Sequence, residues 1–155
     1  MEVTNLVLLV EDNGLCAKYF KLLLEDAVGC KVHWAKDGVA ALQFLATNKP
    51  GLIHMDIQLP ELSGWETIKV IASRPELEGV PICVVTACGL MFPKLIGPER
   101  KRVAEEMEKP VNALSYVRMI YRWLYGIEDT ASIAAGGLGP LMRPMTNRED
   151  RLTLH

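Results

Sequence analysis

The chain has 155 residues, half of them hydrophobic, a length and composition that suit one domain with a real core. A formal net charge of −2 and 6% aromatic residues argue against a general nucleic-acid binder, which needs a basic surplus and stacking rings. The cysteines Cys16, Cys30, Cys83 and Cys88 form no C-x-x-C pair, so neither zinc nor a disulfide framework is expected. Without a basic leader or a membrane-length apolar run, a cytoplasmic location is expected.

Leu6 to Val10 is an unbroken Leu and Val run, the pattern of a parallel strand buried on both faces, and it ends in two acids, Glu11 and Asp12. Asn13 caps a helix in which Cys16, Phe20, Leu23, Leu24 and Ala27 recur at helical spacing, with Gly29 as its stop. Val32 and Trp34 alternate with Lys31 and His33 as a short edge-side strand. Asp37-Gly38 then turns the chain into a helix carrying Ala41, Leu42 and Leu45 inward, closed by Lys49-Pro50-Gly51. The next apolar run, Leu52, Ile53 and Met55, delivers Asp56 at its end, and Pro60 forbids further sheet pairing. Ser63 caps a helix from about Gly64 to Ser73 with Trp65, Ile68, Ile71 and Ala72 on its apolar side, and a fourth strand, Ile82 to Val85, ends at Thr86.

Strands alternating with helices imply an α/β fold, a doubly wound parallel sheet with helices on both faces. Beyond Cys88, Pro93 and Gly97-Pro98 interrupt any helix begun at Leu90, and a helix from Pro98 to about Met107 has only Val103 and Met107 as apolar anchors. Ala104 to Glu108 reads as helix, because Ala and Glu favour helices and are depleted in sheets. A last helix, Asn112 to Tyr125, carries Leu114, Val117, Ile120, Tyr121 and Leu124 on one side and ends at Gly126. The domain is expected over 1–126. Residues 127–155, with scattered Gly, Pro and charge, are expected to form a flexible tail.

With the strand ends side by side, one sheet edge collects Glu11, Asp12, Asp56, Thr86 and Lys109. Singly, Glu11 and Asp12 read equally well as helix-entry acids, Thr86 as a strand-end hydroxyl and Lys109 as a helix-terminal cation. Clustered carboxylates repel unless a cation joins them, and Mg²⁺ takes such hard oxygens, so a divalent metal is implied. With metal and ammonium neutralising the oxygens of a phosphoryl group, Asp56 suits a nucleophile on phosphorus, giving an aspartyl phosphate. The hydroxyl of Thr86 would donate to the product and turn the charge change into a movement.

Leu9-Val10-Glu11-Asp12-Asn13, Met55 to Gly64, Val85-Thr86-Ala87 and Lys109-Pro110 carry a resemblance to the receiver domain of two-component response regulators, in particular the stand-alone bacterial kind. The resemblance implies a five-stranded, flavodoxin-like sheet, with Asp56 as phosphoacceptor. It also implies Mg²⁺ held by Asp12, Asp56 and the backbone carbonyl of Gln58, with Glu11 contributing through water. Thr86 and Lys109 would contact the phosphoryl group, the bond from Lys109 to Pro110 would be cis, and the donor would be a histidine kinase or a histidine phosphotransfer protein.

One departure stands out: the position three before Lys109, usually aromatic in the family, is Glu106. Two readings follow. In the first the chain is a phosphoaccepting switch that signals through protein contacts. In the second it is a receiver-like adaptor that binds partners through an altered 88–108 face largely independently of phosphorylation. A Mg²⁺-dependent phosphatase acting on outside substrates ranks last, since no second acid near Asp56 is placed to protonate a leaving group. No membrane or nucleic-acid partner is expected.

Overall fold

The computed structural model describes residues 5–87 and 97–128. Five parallel strands, β1 (Leu6–Val10), β2 (Lys31–Ala35), β3 (Leu52–Met55), β4 (Ile82–Thr86) and β5 (Val103–Glu108), form one sheet in the order β2-β1-β3-β4-β5. The helices are α1 (Gly14–Leu22), α2 (Gly38–Leu45), α3 (Gly64–Ala72), α4 (Pro98–Arg102) and α5 (Ala113–Ile120).

Side chains alternate across each strand, so the continuous apolar runs feed two cores at once. Val7, Leu9, Leu52, Cys83 and Val85 pack against Phe20 and Leu24 from the first helical segment and Val117, Ile120 and Leu124 from the last. Leu8, Val10, Ile53, Met55, Ile82 and Val84 pack on the other face against Ala41 and Leu45 of α2 and Ile68 and Ile71 of α3. Each fully buried aliphatic side chain of this kind contributes about 1.5–3 kcal/mol relative to an exposed one. The chain leaves β1 toward β2 on one side and lays β3 against it on the other, so the strand order reverses there. A crevice therefore opens at the carboxyl ends of β1 and β3.

Three expectations are corrected. The first helix ends in a π-helical stretch, Leu23–Val28, where Gly29 donates to the Leu24 carbonyl five residues back at 2.9 Å. The wider turn shifts the helical phase by one residue, burying Val28 and leaving Ala27 exposed. In α5 the inward aromatic is Tyr116, whereas Leu114 is exposed. The last turn, Tyr121–Tyr125, is again π-helical and closes on Gly126 in the left-handed region.

The third correction concerns the glutamate-rich stretch. The helix begun at Pro98 stops at Arg102, and Val103–Glu108 is strand β5. Helix propensity loses because the open edge of β4 offers a full ladder of backbone partners and each intervening acid finds a cation or donor. The Glu105 carboxylate takes two bonds from Arg122, at 2.6 and 2.8 Å, and one from the Trp123 indole at 3.1 Å. Glu106 pairs with Arg100 at 2.8 Å. A register shift opposite Ile82 and Cys83 reverses the facing, so that Val103 joins the core on the α3 side and Met107 the core on the α5 side. Residues 88–96 of the expected 88–108 face, and the expected tail beyond residue 128, lie outside the described residues. No helix among the described residues is long and apolar enough to cross a membrane.

Candidate functional site

At the end of β1 the ladder runs one residue past the strand: the Glu11 N–H donates to the Ala35 carbonyl at 3.1 Å. Asn13 then caps α1, its side-chain oxygen accepting from the N–H groups of Leu15 and Cys16 at 3.0 Å each, while its own N–H donates to Glu11 Oε1 at 3.2 Å. Glu11 is thereby turned into the fold, fully buried, and Asp12 is left exposed beside it.

Asp56 follows β3, its N–H bonded to the Val10 carbonyl at 3.0 Å, so the acid sits beside the β1 end by strand pairing. The chain then folds back sharply: Glu61 adopts a positive φ of 64°, and the Gly64 N–H donates to the Ile57 carbonyl at 2.9 Å. A Cβ on Gly64 would run into the backbone of Asp56 and Ile57, so only glycine lets α3 start this close to the acid. The Gln58 N–H points back to Asp56 Oδ1 at 3.3 Å.

Lys109 enters from the end of β5, its N–H donating to the carbonyl of buried Thr86 at 2.9 Å and its bond to Pro110 cis. Its Nζ donates to Glu11 Oε2 at 2.5 Å and Asp56 Oδ2 at 3.1 Å, and stands 5.8 Å from the centre of the Phe20 ring. Burial works against the charge on Lys109, but the two carboxylates outweigh it and hold the ammonium above its ordinary pKa. Burial raises the Glu11 carboxyl, and the lysine beside it offsets only part of that rise.

Ligand oxygens of Glu11, Asp12 and Asp56 lie within 4.8 Å of one another. Three hard oxygen donors with an ammonium already attracted to two of them form a donor set that fits Mg²⁺. Of the expected residues, Lys109 bonds both Glu11 and Asp56, Asp12 brings its carboxylate within 4.8 Å of those two, and Gln58 adjoins Asp56 through its N–H. Thr86 ends the neighbouring strand and meets the site through the backbone of Lys109. Two participants went unread in the sequence. Helical spacing marks Phe20 only as a core residue, and alternation marks Trp34, whose indole N–H donates to the Glu11 carbonyl at 2.7 Å, only as a strand residue. A large ring next to the end of an edge strand, one strand from an acid pair, was the available signal.

The response regulator receiver domain family matches residues 7–95, more than half of the chain. The chain belongs to that family. The polar-differentiation response regulator DivK of Brucella ovis is 42% identical over 85 residues, 55% of this chain and 68% of that protein. DivK of Brucella anthropi is 43% identical over 81 residues, 52% of this chain and 65% of that protein. Among solved structures, the receiver domain of a signal transduction histidine kinase from Syntrophus aciditrophicus superimposes with a TM-score of 0.67 at 25% identity, covering 81% of this chain and 93% of that one. The receiver domain of a sensor histidine kinase from Pseudomonas aeruginosa, which has a magnesium ion coordinated in its active-site cleft, gives 0.67 at 25% identity over 78% and 98%. As a receiver domain the chain is a signalling module rather than a classical enzyme.

Beside the acids, this receiver domain carries an apolar cavity of about 580 Å³ lined by Leu15, Cys16, Tyr19, Phe20, Ala87, Lys109, Pro110 and Val111. Leu15 and Tyr19, one helical turn apart on α1, are 82% and 42% exposed, an apolar face left open on the cavity that Lys109 also lines.

Proposed function

We propose that the chain is a single-domain response regulator that accepts a phosphoryl group on Asp56 from a histidine kinase or histidine phosphotransfer protein and signals through protein contacts. The observation that carries this reading is the Asp56 carboxylate itself: nearly buried at the crevice, bonded to Lys109 and grouped with two further acids. In the transfer the phosphorus–nitrogen bond of a phosphohistidine breaks as a bond forms from an Asp56 oxygen, and the imidazole leaves. Lys109, already at Asp56, would neutralise a phosphoryl oxygen, and Thr86 would donate its hydroxyl to another. Asp12 and Asp56, with the Gln58 carbonyl and, through water, Glu11, would hold Mg²⁺, which when bound supplies positive charge for the transferring group. The open face of Leu15 and Tyr19 supports docking of a helical donor beside Asp56. A receiver unit closing at Gly126 and a cytoplasmic setting accord with this role.

The test is intact-protein mass after incubation with acetyl phosphate, with and without Mg²⁺, beside Asp56→Asn. A single Mg²⁺-dependent phosphoryl adduct absent from the variant is expected. An adduct that persists in the variant, or none on folded wild-type protein even with a phosphorylated donor, overturns the reading.

The adaptor reading has one observation on its side. Glu106, where relatives of the family usually carry an aromatic, is ion-paired to Arg100, so that side of β5 presents a charged pair instead of a ring. It would be favoured if partners captured by the unphosphorylated chain bound the phosphorylated form equally well.

A further inference from the structure

Trp34 is the penultimate residue of the edge strand β2 and stays 47% exposed. In register it stands beside Leu9, yet its indole reaches further along β1 and donates to the carbonyl of Glu11 at 2.7 Å. The Glu11 N–H is bonded to Ala35 on the same strand at 3.1 Å. Both main-chain polar groups of Glu11 are therefore held by β2, one through backbone and the other through a side chain.

The Glu11 carbonyl and the Asp12 N–H belong to one planar peptide, so fixing the first fixes the direction in which the chain leaves toward Asp12. Glu11's own carboxylate is held separately by Asn13 and Lys109. The peptide between the two acids is what the indole controls. We propose that Trp34 is a positioning residue for the acid pair: its indole N–H sets the Glu11–Asp12 peptide and so presets the Asp12 carboxylate beside that of Glu11 for a divalent cation. The proposal rests on the metal reading of the site given above. Presetting strengthens binding because the ordering of the ligands precedes the arrival of the ion. If the ring only shielded the sheet edge, any aromatic side chain would serve.

The experiment compares wild type with Trp34→Phe, which keeps a ring and loses the N–H. Mn²⁺ is the probe, and the free ion is counted by electron paramagnetic resonance. Loss of one hydrogen bond predicts binding weaker by about fivefold. In ¹⁵N–¹H spectra amide changes caused by the substitution should be confined to the β1 and β2 ends and the acid loop. Of the three tryptophan indole signals, the one lost in the variant should be the one that shifts when Mg²⁺ is added to wild type. Equal affinity in the two proteins overturns the role of Trp34. Weaker binding with amide shifts spread through the domain also overturns it, since that marks a general structural change. A wild-type protein that takes up no Mn²⁺ overturns the metal reading itself, and this proposal with it.

Discussion

Lys109 Nζ lies 3.1 Å from Asp56 Oδ2, so the proposed phosphoacceptor rests against the cation that would meet the phosphoryl group after transfer. The same ammonium also holds Glu11, and it thus occupies part of the charge balance a metal ion would share. Lys109→Ala removes the donor proposed to meet developing phosphoryl charge while leaving the three carboxylates in place. Adduct formation from acetyl phosphate is expected to fall by about a hundredfold, with Mn²⁺ binding no weaker than in wild type. Rates from intact mass and the Mn²⁺ titration separate the two effects, and a parallel loss of metal binding would contradict this division of labour.

Gly64 lets α3 begin against the backbone of Asp56 and Ile57. Gly64→Ala forces that loop outward. It should cost about 1–3 kcal/mol of stability, the usual penalty for overpacking a close contact, and slow phosphorylation as well, because the displaced backbone is that of the proposed acceptor. Urea unfolding and adduct formation should therefore respond together. A variant as stable as wild type would show that the loop yields without strain.

His54 is fully buried with Nδ1 2.8 Å from the Tyr116 hydroxyl, its ring edge-on to Phe20. Burial pushes the imidazole down to about 3, and the positive charge of Lys109 adds to the effect. In the unfolded chain the ring titrates near about 6.5. Between those values the unfolded state binds a proton that the folded state refuses, so stability falls as pH drops through that window and is unaffected above it. Wild type should lose roughly 2 kcal/mol from this group between about pH 7 and about pH 5. His54→Asn, which does not titrate and keeps a polar atom toward Tyr116, should show a shallower slope over the same interval in urea unfolding. Parallel slopes would remove His54 as the source.

Leu15 and Tyr19 are open to solvent and border the apolar cavity beside Lys109. Replacing both by Ser should alter stability by less than about 0.5 kcal/mol per site, as for ordinary surface positions. Acetyl phosphate should modify the variant as fast as wild type, whereas transfer from a phosphorylated histidine donor protein should slow by about tenfold or more. Equal loss with both donors would place these side chains in the chemistry instead of in docking.

What was legible from the chain alone was local. The runs Leu6 to Val10 and Ile82 to Val85 announce buried strands by their continuous apolar pattern, and each ends at a polar residue that the fold brings to one edge. The caps at Asn13 and Ser63 are likewise a matter of neighbouring residues, and both hold in the structure. That Glu11, Asp12, Asp56 and Lys109 converge follows from a parallel sheet once its strands are known, since every strand ends on the same side. Tertiary structure decided the rest, because those outcomes depend on partners distant along the chain. Val103–Glu108 became a strand because β4 offered an open edge and because Arg100, Arg122 and Trp123 took up Glu105 and Glu106, against the preference of Ala and Glu for helix. The phase slip at Leu23–Val28 depends on packing over a whole helix. Likewise, the bond from the Trp34 indole to Glu11, 23 residues away, exists only after β2 has been laid against β1. Local pattern specifies the buried strands and the capped starts of the helices that follow them. Contacts between distant residues specify which side chains hold the acids in place.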